Sequence, residues 1–218
     1  MKPFLFSLLF TMALQANAQE AVAVSKEPRH KNVFENEYLR VLDVHISPGD
    51  TTQFHKHETP SVFISLHPVK TGSQVIVEDG NATILSLDRT ITFESFSRSP
   101  RIHRVWNADN SVFHVMDVEV LTKGDKKIEA PITLLQFRQL FDAPQVRAYR
   151  VTLKSNEELE IKRKAPVLVV GLKDAGAVIV NDKAFLKEGD FLFIPADEKI
   201  KLVNKEAGAY SFAFLELR

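Results

Sequence analysis

Apolar and polar residues alternate over short stretches along most of the chain, and a period of two is typical of half-buried β-strands. Leu39–Ile46 is rich in β-branched residues and is followed by Pro48 and Gly49, which favour a turn. Five more stretches have the same character: residues 61–66, 74–78, 83–87, 103–107 and 112–121. Short strands spaced by about 8–12 residues indicate an all-β sandwich or barrel.

Turn-forming residues separate the predicted strands at Lys70–Gly72, Asp79–Asn81 and Ala108–Asn110. Helical periodicity is nearly absent, and Thr133–Phe141 is the one short candidate for a helix. The hydrophilic segment Thr122–Lys127 separates two groups of predicted strands. The pattern therefore predicts an all-β chain in two parts.

The two parts are related by an internal repeat. Arg40 aligns with Arg147, 107 positions away, and Asn107 aligns with Asn204, 97 positions away, so the second copy is ten residues shorter. Two long runs that match in the same order are hard to obtain by chance. Such self-similarity indicates two copies of one structural unit.

The first residues have the three parts of a secretory signal peptide. Lys2 gives the positive start, residues 4–14 form an apolar run, and Ala16–Ala18 is an A-x-A cleavage site. The run is too short to span a bilayer, which takes roughly 20 residues. We expect cleavage after Ala18 and an exported protein, periplasmic or secreted, with a retained N-terminal anchor as the alternative.

The composition excludes several kinds of site. There are no cysteines, so disulfides, thiolate metal sites and cysteine nucleophiles are ruled out. Lys and Arg number 28, as do Asp and Glu, so no net field attracts nucleic acid or an anionic membrane. Any metal must therefore be bound by nitrogen and oxygen atoms.

Three histidines form the strongest candidate site. His55 and His57 alternate on one predicted strand that starts after Gly49, so both imidazoles point to the same face. A third ligand must come from a distant strand, and His103 offers it. Gln53 has the same parity as the histidine pair and is a candidate for an additional ligand or for a residue that orients the ligands. This set predicts one bound divalent metal.

The pocket around this site is predicted from strand parity. Ser61, Phe63 and Ser65 share one face and are assigned to the pocket, although their neighbours 62, 64 and 66 form an equally good inward set. Glu58 has the opposite parity to the histidine pair and is expected to face outward. The other histidines lack the spacing and are interpreted as ordinary surface or strand residues: His30, His45, His67 and His114.

These motifs resemble the two signatures of the cupin superfamily. Gly49, five residues and then His55-x-His57 is similar to the first signature, and His103, three residues and then Asn107 is similar to the end of the second. The second copy has the second signature as Gly189 to Pro195, with Ile200 where the histidine would stand. The resemblance implies a jelly-roll barrel, also called a double-stranded β-helix, in each copy. It implies no single activity, because cupins include dioxygenases, isomerases, storage proteins and sensors.

The chain departs from the cupin pattern at the usual glutamate ligand. Four and five residues after the second histidine stand Ser61 and Val62 instead. Three neutral imidazoles leave a dication its full charge, which favours an anionic partner. Some cupin dioxygenases resemble this three-histidine arrangement. Iron suits that chemistry best, while zinc, manganese and nickel stay open.

The second copy has lysines in place of the histidine pair, at Lys162 and Lys164, so we expect it to bind no metal. The expected segments are a signal peptide (1–18), a metal-binding barrel (19–123) and a metal-free barrel (124–218). The expected function is that of a dioxygenase or related oxidoreductase acting on a small anionic or enolisable molecule. The alternative is a non-catalytic cupin that binds a small ligand or metal. We expect no nucleic-acid partner and no stable membrane insertion after cleavage. The sequence leaves open whether the protein forms a homodimer.

Overall fold

The fold is known from a computed structural model that describes residues 21–76, 83–86, 91–96, 98–124 and 129–218, with only the backbone described at 83–86. The expected signal peptide (1–18) and the predicted turn Asp79–Asn81 lie outside these residues. Within the described ranges, no helix is long and apolar enough to cross a membrane.

Nearly all regular structure in the described residues is β, which confirms the predicted fold class. The first half holds β1 (Val22–Ala23), β2 (His30–Glu35), β3 (Leu39–Ile46), β4 (His55–His57), β5 (Ser61–His67), β6 (Lys70–Val75), β7 (Thr83–Ser86), β8 (Ile91–Glu94), β9 (Arg101–Asn107) and β10 (Phe113–Val120). The second half holds β11 (Phe137–Asp142), β12 (Val146–Leu153), β13 (Glu157–Lys162), β14 (Val167–Gly171), β15 (Val178–Val180), β16 (Lys183–Phe185), β17 (Phe191–Ile194), β18 (Lys199–Asn204) and β19 (Tyr210–Leu217). A short 3-10 helix, Val24–Lys26, lies between β1 and β2.

Each half folds into two facing sheets. The first barrel pairs the sheet β1-β4-β9-β6-β7 with the sheet β2-β3-β10-β5-β8, and the second pairs β11-β12-β19-β14-β17 with β13-β18-β15-β16. Neighbouring strands are often far apart in sequence, as in jelly rolls. The predicted boundary at residues 123 and 124 falls between β10 and β11, and residues 125–128 lie outside the described ranges.

Aligned residues of the repeat form equivalent ion pairs in both barrels. Arg40 donates to Glu119 at 2.6 Å from β3 to β10, and Arg147 donates to Glu216 at 3.2 Å from β12 to β19. Both ion pairs lie across the central strands of their sheets. The sequence repeat therefore reflects a structural repeat.

A buried asparagine clamps the same loop in each barrel. The Asn107 amide nitrogen donates to the backbone oxygens of Ile46 and Ser111, and Asn204 donates in the same way to Leu153, Lys154 and Gly208. These bonds satisfy buried carbonyls where the chain turns between strands. The second-signature asparagine is thus a structural residue in both copies.

Two apolar faces hold the barrels together. Val62, Ile64 and Leu66 of β5 point out of the first barrel and pack, with residues of β3 and β10, against Leu168 and Leu215 of the second barrel. Each such side chain contributes on the order of 1.5–3 kcal/mol when it is fully buried. This packing decides the open question of strand parity, because it leaves Ser61, Phe63 and Ser65 facing the barrel interior.

Two sequence predictions about single elements are wrong. The candidate helix 133–141 instead contributes to strand β11, which pairs with β12. The predicted turn Lys70–Gly72 lies within strand β6, where Gly72 stands opposite Trp106 of β9. A Cβ at Gly72 would overlap the Trp106 indole, so the glycine serves close packing rather than a turn.

Candidate metal centre

Two neighbouring strands bring the three candidate ligands together. His55 and His57 lie on β4, and His103 of β9 is the register partner of His55. Gly49 precedes this region in a left-handed conformation (φ 74°) with open space around it, so the backbone turn is what requires glycine there. The ligand atoms of the three histidines all lie within 4.8 Å of one another.

The Nδ1 atom of each imidazole faces a polar atom of the protein, which leaves Nε2 for the cavity. His55 Nδ1 donates to the Gln53 carbonyl oxygen at 2.9 Å. The Nδ1 atom of His103 lies 3.2 Å from Ser73 Oγ, and that of His57 lies 3.5 Å from Asp117 Oδ2. The Nε2 atoms of His57 and His103 are 3.1 Å apart. Partners on Nδ1 that orient Nε2 are usual for histidine metal ligands.

The protonation of the site also suits a metal. Burial lowers the pKa of His55 to about 4 and that of His103 to about 3, and it lowers the pKa of His57 as well, with nearby histidines adding to the effect. The three imidazoles are therefore neutral at neutral pH, as ligands must be. Metal–nitrogen bonds of about 2.1 Å place adjacent ligand nitrogens about 3 Å apart, close to the 3.1 Å seen here.

The other predicted site residues divide into two groups. Phe63 and Ser65 line the cavity, which has a volume of about 250 Å³. Ser61 is buried behind it, and its hydroxyl donates to the Thr59 carbonyl oxygen. Gln53 acts through its backbone, since its carbonyl holds His55 and its N–H donates to Glu27.

Asp117 of β10 is a site residue that the sequence analysis missed. Its side chain is only 1% exposed, and its one hydroxyl neighbour, Ser61, donates to the Thr59 carbonyl oxygen, so neither carboxylate oxygen has a well-formed hydrogen bond among the described residues. Burial, followed by repulsion from Glu119, raises the pKa of Asp117 to about 8. A buried carboxyl without partners is costly, and it lies behind His57, whose Nδ1 atom is also unpartnered. A cation bound to Nε2 of His57 would offset that cost through the ring, so these unpartnered atoms fit a bound metal.

His30 and Glu27 also belong to the site, contrary to the interpretation of His30 as an ordinary histidine. The His30 ring lines the cavity, with its centroid 4.7 Å from that of His55 and 6.5 Å from that of His57. Glu27, whose side chain is fully buried, lies behind it with Oε2 2.8 Å from His30 Nδ1. Hydrogen bonds outweigh burial and lower the pKa of Glu27.

Aromatic and polar groups surround the open side of the cavity. The Phe63 and Phe96 rings lie 5.6 and 5.3 Å from the His57 ring and shield it. Arg101 and Glu94 line the outer part of the cavity, and the Arg101 guanidinium lies 5.6 Å above the Phe96 ring. Glu58 faces outward, as its parity predicts, and pairs with Lys56 at 2.6 Å.

Comparisons with known proteins rest on structure, because no family model and no curated protein matches the sequence. A cupin 2 conserved barrel domain protein from Leptotrichia buccalis has a TM-score of 0.52 and 13% identity over 86% of this chain and 88% of that one. The fold is that of the cupin superfamily. YhhW from Escherichia coli matches with a TM-score of 0.61 and 14% identity, over 88% of this chain and 89% of that one. Salicylate 1,2-dioxygenase from Pseudaminobacter salicylatoxidans matches with a TM-score of 0.57 and 11% identity, over 83% of this chain and 71% of that one.

The second cupin barrel has an interior of another kind. Lys162 and Lys164 are exposed, and Ile200 is buried in an apolar core. That core includes five fully buried aromatic side chains: Tyr149, Phe185, Tyr210, Phe212 and Phe214. Side chains therefore fill the space that forms the metal cavity in the first cupin barrel.

Proposed function

We propose that this cupin binds one divalent metal in its first barrel through His55, His57 and His103 and acts as a dioxygenase or related oxidoreductase. The observation that carries the proposal is the convergence of three neutral imidazoles in a cavity, each with Nδ1 directed at a polar atom of the protein. The likeness to a salicylate 1,2-dioxygenase supports this class of reaction. We further propose export after removal of residues 1–18.

The residues around such a metal would have distinct roles. The bound metal would supply a Lewis acid with positions open to substrate, and iron is the favoured ion, with zinc, manganese or nickel as alternatives. Ser73 and Asp117 orient two of the ligands, while Phe63 and Phe96 keep water away from His57. The second barrel carries no metal in this proposal.

We propose a small anionic or enolisable molecule as the substrate. A metal held by the three histidines would not keep an uncompensated charge of +2, because Asp117 places a carboxyl group 3.5 Å behind His57. Support for an anion now comes from Arg101, which lines the cavity together with Glu94. A cavity of about 250 Å³ admits a molecule of roughly one aromatic ring.

The first test is metal content. We expect the full chain to hold one metal per molecule and His103→Ala to lose it, while His67→Ala, at an exposed histidine, keeps it. Elemental analysis of protein purified without chelators measures both. Equal metal loss in the two variants, or a full complement in His103→Ala, would disprove the ligand assignment.

The second part of that test separates catalysis from binding. The iron-loaded protein should consume dioxygen with some member of a panel of small phenolic and enolic carboxylic acids. Stoichiometric metal and tight binding of such acids without oxygen uptake would instead support the alternative, a non-catalytic cupin that binds a small ligand or metal.

A further inference from the structure

The segment before β3 places a buried carboxylate–histidine pair beside the metal cavity. Glu27 Oε2 accepts from the Arg29 backbone N–H at 2.6 Å and lies 2.8 Å from His30 Nδ1. Glu27 Oε1 accepts from the Gln53 N–H at 3.1 Å and from the Arg29 guanidinium at 3.4 Å. Both oxygens act as acceptors throughout, so the proton in the contact with His30 lies on Nδ1.

This contact determines what His30 offers to the cavity. With its proton on Nδ1, a neutral imidazole has an acceptor lone pair on Nε2. Among the described residues, no hydrogen bond to His30 Nε2 is present. The ring lines the cavity and contacts His55, so Nε2 is accessible to a bound molecule.

His30 does not join the ligand set. The three ligating histidines have ligand atoms within 4.8 Å of one another, and His30 lies outside that group. Its ring centroid is 6.5 Å from that of His57, farther than any pair within the triad, whose centroids lie 4.6 to 5.0 Å apart. His30 is therefore positioned beside a metal held by the triad and faces the space where a bound molecule would lie.

We propose that His30 contacts the substrate and accepts a hydrogen bond from its hydroxyl group, with Glu27 as the positioning residue that fixes the His30 tautomer. The inference rests on the proposed metal site but not on catalysis. It narrows the substrate class to molecules that have an enolic or phenolic O–H next to their metal-binding atom. Anions without a proton, such as azide, gain nothing from this acceptor.

The test compares two probes on the full chain loaded with Co²⁺. The first probe, 4-nitrocatechol, has phenolic O–H groups and absorbs visible light, and the second, azide, has no proton to donate. In His30→Ala we expect nitrocatechol binding to weaken about tenfold, the value of one hydrogen bond in a dry site, while azide binding stays within about threefold of wild type. His30→Gln, whose amide oxygen accepts, should recover part of the loss.

Glu27→Gln tests the positioning role. An amide can donate to Nδ1, which would shift the proton to Nε2 and turn that atom into a donor. We expect this variant to keep its Co²⁺ and its azide affinity and to lose nitrocatechol affinity as His30→Ala does. Nitrocatechol affinity equal to that of wild type would remove Glu27 from the proposal.

The outcomes distinguish this inference from the function on which it rests. Failure of the wild-type chain to take up Co²⁺ would overturn both proposals. Normal Co²⁺ uptake with equal losses for both probes, or with no loss for either, would overturn the role of His30 alone. Loss of Co²⁺ in His30→Ala to the extent seen in His103→Ala would make His30 a metal ligand and also refute the inference.

Discussion

The Asp117 carboxyl is the residue whose environment most needs an explanation. It is fully enclosed between strands β3 and β5, and burial and Glu119 raise its pKa to about 8, although the nearby Ser61 hydroxyl acts in the opposite direction. Neither of its oxygens has a well-formed hydrogen bond among the described residues. Its position 3.5 Å from His57 Nδ1 agrees with the proposed metal site, because a metal on the other side of the ring would favour a carboxylate there.

Replacing Asp117 should therefore weaken the metal site. We expect Asp117→Asn, which keeps the shape and removes the charge, to lower metal affinity about 10- to 100-fold. Competition against a chromophoric chelator measures the affinity. Asp182→Asn, at an exposed turn of the second barrel, is the matched control and should bind as wild type does. Equal affinities in both variants would mean that Asp117 does not support His57.

Sequence spacing identified the three histidines that the structure brings together but not the residues around them. His55, His57 and His103 could be predicted because strand parity and two motifs fix their direction. The sequence gives only a weak indication of Asp117, which has the same parity in strand β10 as the apolar residues Phe113 and Val115. No sequence pattern indicates Glu27 and His30, because their segment contacts the three histidines only in the folded barrel.

Among the elements, β6 and β9 determine how firmly His103 is held. Gly72 lies under the Trp106 ring, and the next residue, Ser73, contacts the Nδ1 atom of His103. The absence of a side chain at Gly72 lets the two strands approach while the indole covers them. The prediction of a turn at Lys70–Gly72 failed because glycine marks both turns and close contacts.

A methyl group at Gly72 should disturb this element. We expect Gly72→Ala to lower the free energy of unfolding by about 1–3 kcal/mol, the usual cost of overpacking, and to reduce metal affinity as well. Gly208→Ala, where a Cβ meets open space, is the control. Urea denaturation of the two variants checks the stability, and a stable Gly72→Ala protein with normal metal binding would contradict the role given to this contact.

Across the whole molecule, a polar cluster borders the apolar interface of the barrels. His114 of β10 lies 2.8 Å from Asp43 and 3.0 Å from Glu188 of the second barrel, and His45 stacks on its ring at 4.0 Å. Asp43, His45 and His114 are close enough to hold a metal. However, both nitrogens of His114 already face carboxylates, so a protonated imidazole fills that place.

The charge on His114 should make the junction sensitive to pH. Burial opposes that charge, but hydrogen bonds to Asp43 and Glu188 outweigh burial and raise the pKa of His114 above 6.5, whereas burial and His114 lower the pKa of His45. The stability gained from His114 is therefore complete below pH 6.5 and is lost as pH rises through the higher folded-state pKa. Lys187 also faces Asp43 and His45.

We expect the metal-free wild type to exceed His114→Gln in stability at pH 6 and the difference to shrink as pH approaches 9. Urea denaturation at several pH values measures the difference. His67→Gln, at an exposed histidine, should follow the wild-type curve. A gap between wild type and His114→Gln that stays constant with pH would show that His114 does not gain a proton on folding.

The two-barrel architecture could be predicted from the sequence repeat. The packing between the barrels could not. The aligned strands β3 with β12 and β10 with β19 occupy the same places in both copies. Both faces of β5 are rich enough in apolar residues to be buried, so the sequence left open which face turned inward. Only the presence of a second sheet against Val62, Ile64 and Leu66 decides it.

The contact between Gly72 and Trp106 has a practical consequence. Trp106 is the only tryptophan of the chain, and it lies on the strand that carries His103. Two of the three tyrosines, Tyr149 and Tyr210, are fully buried in the other barrel. Indole fluorescence therefore reports the state of the first barrel, and tyrosine fluorescence comes mainly from the second barrel. Two emission bands from one unlabelled sample show whether the barrels open together or in succession.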